Sequence, residues 1–149
     1  GTVAGSLEGI FAGIPSMAVS MESMADGTLL RETAAFAADL VSGYFMKKRY
    51  TGILNVNIPK IKPEKVSWEN VKVARLGLLR YSNVIAGKRT KADEMEFIMR
   101  GKPLERYEPE TDVYWSRKGY ITITPLQWNQ TDFENLREVG KLTAAFIDA

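Results

Sequence analysis

The sequence predicts an α/β domain. Apolar residues recur at helical spacing at 3, 7, 10, 11 and 14 and again at 29, 36, 37, 40, 44 and 45. Short stretches at 53–58, 71–76 and 120–126 alternate apolar and polar side chains, the period of a strand. Glycine and proline stops separate the two kinds of segment, so helices and strands follow one another along the chain.

The first helix is the most unusual element. Glycine falls at 1, 5, 9 and 13, beside a line of Val3, Leu7, Ile10, Phe11 and Ile14. A glycine inside a helix costs about 1 kcal/mol relative to alanine, so the row implies that another backbone comes close along it. Gly13 supplies a stop and Pro15 forbids continuation, which makes Ile14 to Val19 a short buried strand. A close-packed helix that starts at residue 1, with no initiator Met and no signal peptide, calls for a strand before it. The chain is therefore expected to be the later part of a longer protein.

A loop at Glu22–Gly27 and a helix from about Thr28 to Arg49 follow, together half of a β-α-β unit. Leu29, Thr33, Phe36, Ala37, Leu40, Tyr44 and Phe45 form one face of that helix. Lys47, Lys48 and Arg49 close it, where cations complement the helix dipole. In the strand Ile53–Ile58, Leu54, Val56 and Ile58 take one face and Asn55 and Asn57 the other. The two asparagines either line a polar cleft or satisfy loop backbone. A connector around Trp68 leads to the strand Val71–Leu76. Residues 77–112, rich in turn formers and charge, are expected to form a protruding arm or hairpin. From Lys72 to Arg106 nine Lys/Arg stand against four Asp/Glu, a bias that suits solvated surface or attraction of an anion. Thr111 or Asp112 caps a helix through Arg117, Gly119 ends it, and Tyr120–Leu126 is a strand with threonines on one face. Thr131–Glu134 reads as a capping box for a last helix with the stripe Phe133, Leu136, Val139, Leu142 and Phe146.

Composition narrows the chemistry. The 149 residues amount to one domain's worth, 45% apolar and 26% charged, with a net charge of +2. The charge is too small to argue for nucleic acid, and no apolar run reaches the ~20 residues a membrane helix needs. There is no cysteine, which excludes disulfides and a thiol nucleophile and fits a reducing compartment such as the cytoplasm. There is no histidine, so a Ser-His-Asp triad and a histidine-ligated zinc site are excluded. Asp, Glu, Asn, Ser, Thr, Lys and Tyr remain, an inventory suited to hard cations such as magnesium or manganese.

Three segments in order carry a resemblance. They are Gly1-Thr-Val-Ala-Gly-Ser-Leu-Glu-Gly9 with Gly13-Ile-Pro-Ser-Met-Ala-Val-Ser20, then Leu54-Asn-Val-Asn-Ile-Pro59, then Thr111-Asp-Val-Tyr-Trp-Ser-Arg-Lys-Gly-Tyr-Ile-Thr-Ile-Thr-Pro-Leu126. Together they resemble the SurE family, the stationary-phase survival proteins, which are metal-dependent nucleotidases. The resemblance implies a single three-layer α/β/α domain over 1–149, read as the C-terminal portion of the family without its N-terminal metal-binding segment. It implies hydrolysis of nucleoside 5′- and 3′-monophosphates with Mg or Mn, the metal ligands lying upstream of Gly1. It also implies a homodimer or tetramer that exchanges C-terminal elements. Gly1 and Thr2 match the end of the run that caps a helix beside the phosphate, and a helix start is a natural anion site. Asn55 and Asn57 are the candidate cleft residues. Two other readings stand beside this one: a non-enzymatic half completed by a partner chain, and nucleic-acid binding through the basic arm. The second lacks an aromatic platform, and no specific nucleic acid is expected.

Overall fold

A computed structural model describes residues 1–22, 27–82, 85–91, 94–99, 102–104 and 107–147. Its centre is a mixed four-stranded sheet in the spatial order β1 (Ser16–Met21), β2 (Ile53–Ile58), β8 (Ile121–Leu126) and β3 (Val71–Val73). Helix α1 (Thr2–Phe11) turns at Gly13, whose φ of 75° is the left-handed conformation that favours glycine, into β1 (Ser16–Met21). Helix α2 (Gly27–Leu40) then returns the chain to β2 (Ile53–Ile58), which pairs with β1 in parallel from Ser16↔Ile53 to Met21↔Ile58. After two short 3₁₀ turns comes β3 (Val71–Val73). The short β4 (Tyr81–Ser82) and β7 (Lys102–Pro103) form one ladder, and β5 (Ile85–Lys91) and β6 (Glu94–Met99) another, apart from the main sheet. Helix α3 (Asp112–Arg117) leads into β8 (Ile121–Leu126), antiparallel to β2 and parallel to β3. Helix α4 (Phe133–Ile147) closes the described chain.

The alternation read from the sequence divides the sheet into two faces. Leu54, Val56 and Ile58 of β2 pack with Ile121 and Ile123 of β8 against Phe36 and Leu40 of α2, and this is the core. Burying each such side chain contributes about 1.5–3 kcal/mol. On the opposite face lie Ile53, Asn55 and Asn57, with Thr122 and Thr124 across from the asparagines. Helices α1 and α3 cover this second face. Gly9 of α1 sits against the Ser16 side chain, whose Cβ is 3.2 Å from where a glycine Cβ would be. Lys72, in register with Thr122, points its Nζ over the Trp115 ring of α3 at 5.0 Å.

Several expected boundaries move, each for a physical reason. The second helix is not one α-helix to Arg49: at Val41 it widens into a π-helical segment, Val41–Lys47, and Arg49 leaves it at φ 53°. Tyr44 and Phe45 still pack on the core beside Leu40, the face that the apolar spacing predicts, so the wider turn changes the backbone bonding and not the buried stripe. The first strand begins at Ser16 rather than Ile14, because the Gly13 turn leaves Ile14 exposed. Of the glycine row only Gly9 meets a close neighbour; Gly1, Gly5 and Gly13 have open space where a Cβ would stand. The last helix is capped by Asp132, not Thr131: the Asp132 carboxylate accepts from the Asn135 backbone N–H at 3.1 Å. The bond from Asn135 holds that carboxyl below the usual range. The loop expected at 22–27 lies, over 23–26, outside the described residues, as do parts of the 77–112 arm. Among the described residues, no helix is long and apolar enough to cross a membrane.

Candidate functional site

The parallel strands β1 and β2 end side by side, and ligands of open α/β sheets bind beyond the carboxyl ends of such strands. A cleft of about 290 Å³ opens there. The end of β1 supplies Ser20 and Met21, followed by Glu22; the end of β2 supplies Asn57 and Ile58. Helix α3 closes the other side with Asp112, Val113, Ser116 and Arg117, and Leu79 adds an apolar patch.

Each polar wall residue is set by the local chain. Asn57 is held by its place on the strand, its Nδ2 3.5 Å from the Thr122 hydroxyl. Glu22 is tied to the end of β2: its N–H donates to the Ile58 carbonyl at 3.0 Å and its Oε2 accepts from the Lys60 N–H at 3.1 Å. Helix α3 is fixed at its start by Thr111. That buried hydroxyl donates to the Glu108 carbonyl at 2.7 Å and accepts from the Tyr114 N–H at 3.3 Å. Asp112, also buried, accepts at Oδ1 from the N–H groups of Gly77 (2.7 Å) and Val113 (2.8 Å). Arg75 and Glu108 add a two-pronged ion pair at 2.9 and 3.0 Å beside this start. The hydrogen bond from Arg75 holds the Glu108 carboxyl below its usual range, but both side chains are largely exposed and water screens the pair. Arg117 is the one cation among the lining residues, its guanidinium 5.6 Å from the centre of the Tyr107 ring.

The structure separates the two asparagines. Asn57 lines the cleft; Asn55 lies deeper in the sheet, 6% exposed, opposite Thr124, and does not. The Thr124 hydroxyl is buried without a partner among the described residues. Gly1 and Thr2 are exposed and also lie outside the cleft wall. Gly1 caps α1 without a side-chain hydrogen bond, and no acidic residue occupies the first turn. Helix α1, about 15 Å long, reverses at Gly13 into β1, so its start and the Ser20–Glu22 end of the strand share one end of the domain. Sequence reasoning treated Asp112 only as a cap and passed over Ser20, Glu22, Ser116 and Arg117. The signal available was the Asn57 face, which α3 had to cover.

The oxygen donors at the cleft do not make a metal centre by themselves. Among the described residues no three Asp or Glu side chains gather where a cation could sit. Glu22 and Asp112 each give an oxygen to backbone N–H groups. A divalent cation does not fit this donor set.

The sequence model of the family described as Survival protein SurE matches residues 1–83. The chain belongs to the SurE family. A protein named 5′-nucleotidase SurE from Pelotomaculum thermopropionicum is 33% identical over 144 residues, covering 95% of this chain and 53% of the relative. One of the same name from Syntrophomonas wolfei is 31% identical over 150 residues, covering 98% and 55%. The crystal structure of the SurE protein from Aquifex aeolicus superposes with a TM-score of 0.74 at 27% identity, over 95% of this chain and 57% of that one. The fold is thus an α/β domain with a mixed sheet and helices, resembling SurE. This chain spans about half the length of the curated relatives it matches.

The matches correct one expectation. The chain was read as a C-terminal portion of the family that lacks its metal-binding segment. The family model instead falls on residues 1–83, the amino-terminal part of this chain, and the alignments cover only about half of each relative. This is consistent with an N-terminal SurE domain rather than a C-terminal remnant.

Proposed function

We propose that the protein serves in the hydrolysis of nucleoside 5′- and 3′-monophosphates. The observation that carries the reading is the overlap of the family match with the cleft: Ser20, Glu22, Asn57 and Leu79 all lie within residues 1–83. A half-polar cleft at the carboxyl ends of parallel strands suits a nucleoside, with hydroxyl, amide and carboxylate groups to meet its sugar and base. Asn57 is the proposed substrate contact from β2. Gly1 and Thr2 are the proposed phosphate contacts, since the uncapped start of α1 offers N–H groups and the positive end of a helix dipole. The magnesium or manganese that the family resemblance implies would be held by residues other than this donor set. With AMP and Mn²⁺ the purified protein, or a longer protein containing it, is expected to release inorganic phosphate, and chelation to stop it. No release, from this chain or from a longer protein containing it, overturns the reading.

A second reading has its own support. Phe133, Leu136 and Val139 stand exposed along α4, and Phe11 meets Trp128 edge-on at 6.1 Å, both side chains exposed. Such a face suits a partner chain, here a second copy in a homodimer or tetramer that exchanges C-terminal elements. Native mass spectrometry showing only a monomer sinks that assembly. With no cysteine to protect, the cytoplasm is the proposed location.

A further inference from the structure

We infer that Arg117 holds the phosphate of a bound nucleotide at the rim of the cleft, with the nucleoside end turned inward. The inference rests on the nucleotide reading above and adds an orientation to it. Two carboxylates line the same cleft as Arg117, yet neither pairs with it. Glu22 turns to the Lys60 N–H, and Asp112 to the N–H groups of Gly77 and Val113. Among the described residues the Arg117 guanidinium has the Tyr107 ring as its neighbour and no acidic partner. Its N–H fork therefore has no carboxylate partner among the described residues, and a planar fork of this kind grips phosphate through two oxygens at once.

The rest of the wall fixes the direction. Glu22, Asp112 and Asn57 present oxygen acceptors, which suit sugar hydroxyls and base amino groups and repel a dianion. A nucleoside monophosphate has those donors at one end and its charge at the other. It matches the cleft only with the nucleoside among the acceptors and the phosphate at the exposed cation.

The test compares AMP with adenosine by titration calorimetry, on the protein and its R117Q and R117K variants. The unaltered protein is expected to bind AMP roughly tenfold to a hundredfold more tightly than adenosine, the range for hydrogen bonds to a charged group. R117Q is expected to lose most of that preference with adenosine affinity unchanged, and R117K to keep more of it through charge without the fork. AMP affinity of the unaltered protein should rise with pH through about 6, where phosphate takes its second charge, and stay flat in R117Q. An R117Q variant with native circular dichroism and an undiminished AMP preference overturns the inference and leaves the nucleotide reading standing. Equal binding of AMP and adenosine by the unaltered protein also overturns it. Binding of neither compound removes the nucleotide reading itself, and the orientation with it.

Discussion

Helices α2 and α4 carry the same kind of apolar stripe and meet opposite fates. Leu29, Phe36 and Leu40 of α2 are buried, Leu40 completely. Phe133, Leu136 and Val139 of α4 are 66%, 58% and 57% exposed. Both stripes follow the helical period, so the difference does not lie in the helices. It lies in what faces them. Helix α2 meets Val56, Ile58, Ile121 and Ile123 on a sheet whose apolar side chains share one face. Helix α4 meets no comparable surface among the described residues. The hairpin β5–β6 repeats the lesson, with Met95 and Phe97 exposed on strands that, among the described residues, pair only with each other. A periodic stripe specifies a face; a second, complementary face is needed before it contributes to stability.

The comparison breaks first at Leu40. Replacing it with alanine removes a fully buried side chain between α2 and the sheet, where the π-helical segment begins. L40A should lower the free energy of unfolding by about 3 kcal/mol, the middle of the range for buried leucine truncation. Urea denaturation followed by circular dichroism measures it. A loss below about 1 kcal/mol, within the ordinary surface-to-core scatter, would mean that the α2 stripe is no more a core than that of α4.

What the sequence revealed follows the same division. Strand β2 was legible to the residue because Leu54, Val56 and Ile58 alternate with asparagine and Pro59 halts the run. Strand β8 and helix α3 were legible because Thr111, Gly119 and the threonine alternation are local signals. The end of α2 was not, since apolar residues at 40, 44 and 45 fit one face of an α-helix and do not reveal the π turn that carries the last two. The cleft was half legible. Asn55 and Asn57 share a face and a residue type, and only position along the strand decides that one is sealed opposite Thr124 and the other open. Glu22 and Arg117 are far apart in the chain, and nothing in their local sequence says that they line one cleft.

The next effect is smaller and concerns how the cleft is held. Thr111 lies at the junction of the sheet edge and α3, bridged to Arg75 and bonded at both its donor and acceptor sides. T111A removes the cap and leaves the Glu108 carbonyl without that donor. It should cost about 1–2 kcal/mol, as cap removal does. T111S, which keeps the hydroxyl, should recover most of it. Equal losses in the two variants would assign the effect to the missing methyl group, and α3 would then be held by packing rather than by its cap.

The smallest expected change tests the exposed stripe itself. In the monomer, L136A truncates a side chain that is more than half exposed, and the free energy of unfolding should stay within about 0.5 kcal/mol of the original. If α4 is where a second copy docks, the same substitution acts on association instead. Dilution followed by native mass spectrometry should then show dimer dissociating at a higher protein concentration in L136A, while the urea curve of the monomer is unmoved. A monomer destabilised as much by L136A as by L40A would contradict the contrast, because α4 would then have a buried face within its own chain. The pair of measurements separates a stripe that folds the domain from one that awaits a partner, which periodicity alone cannot do.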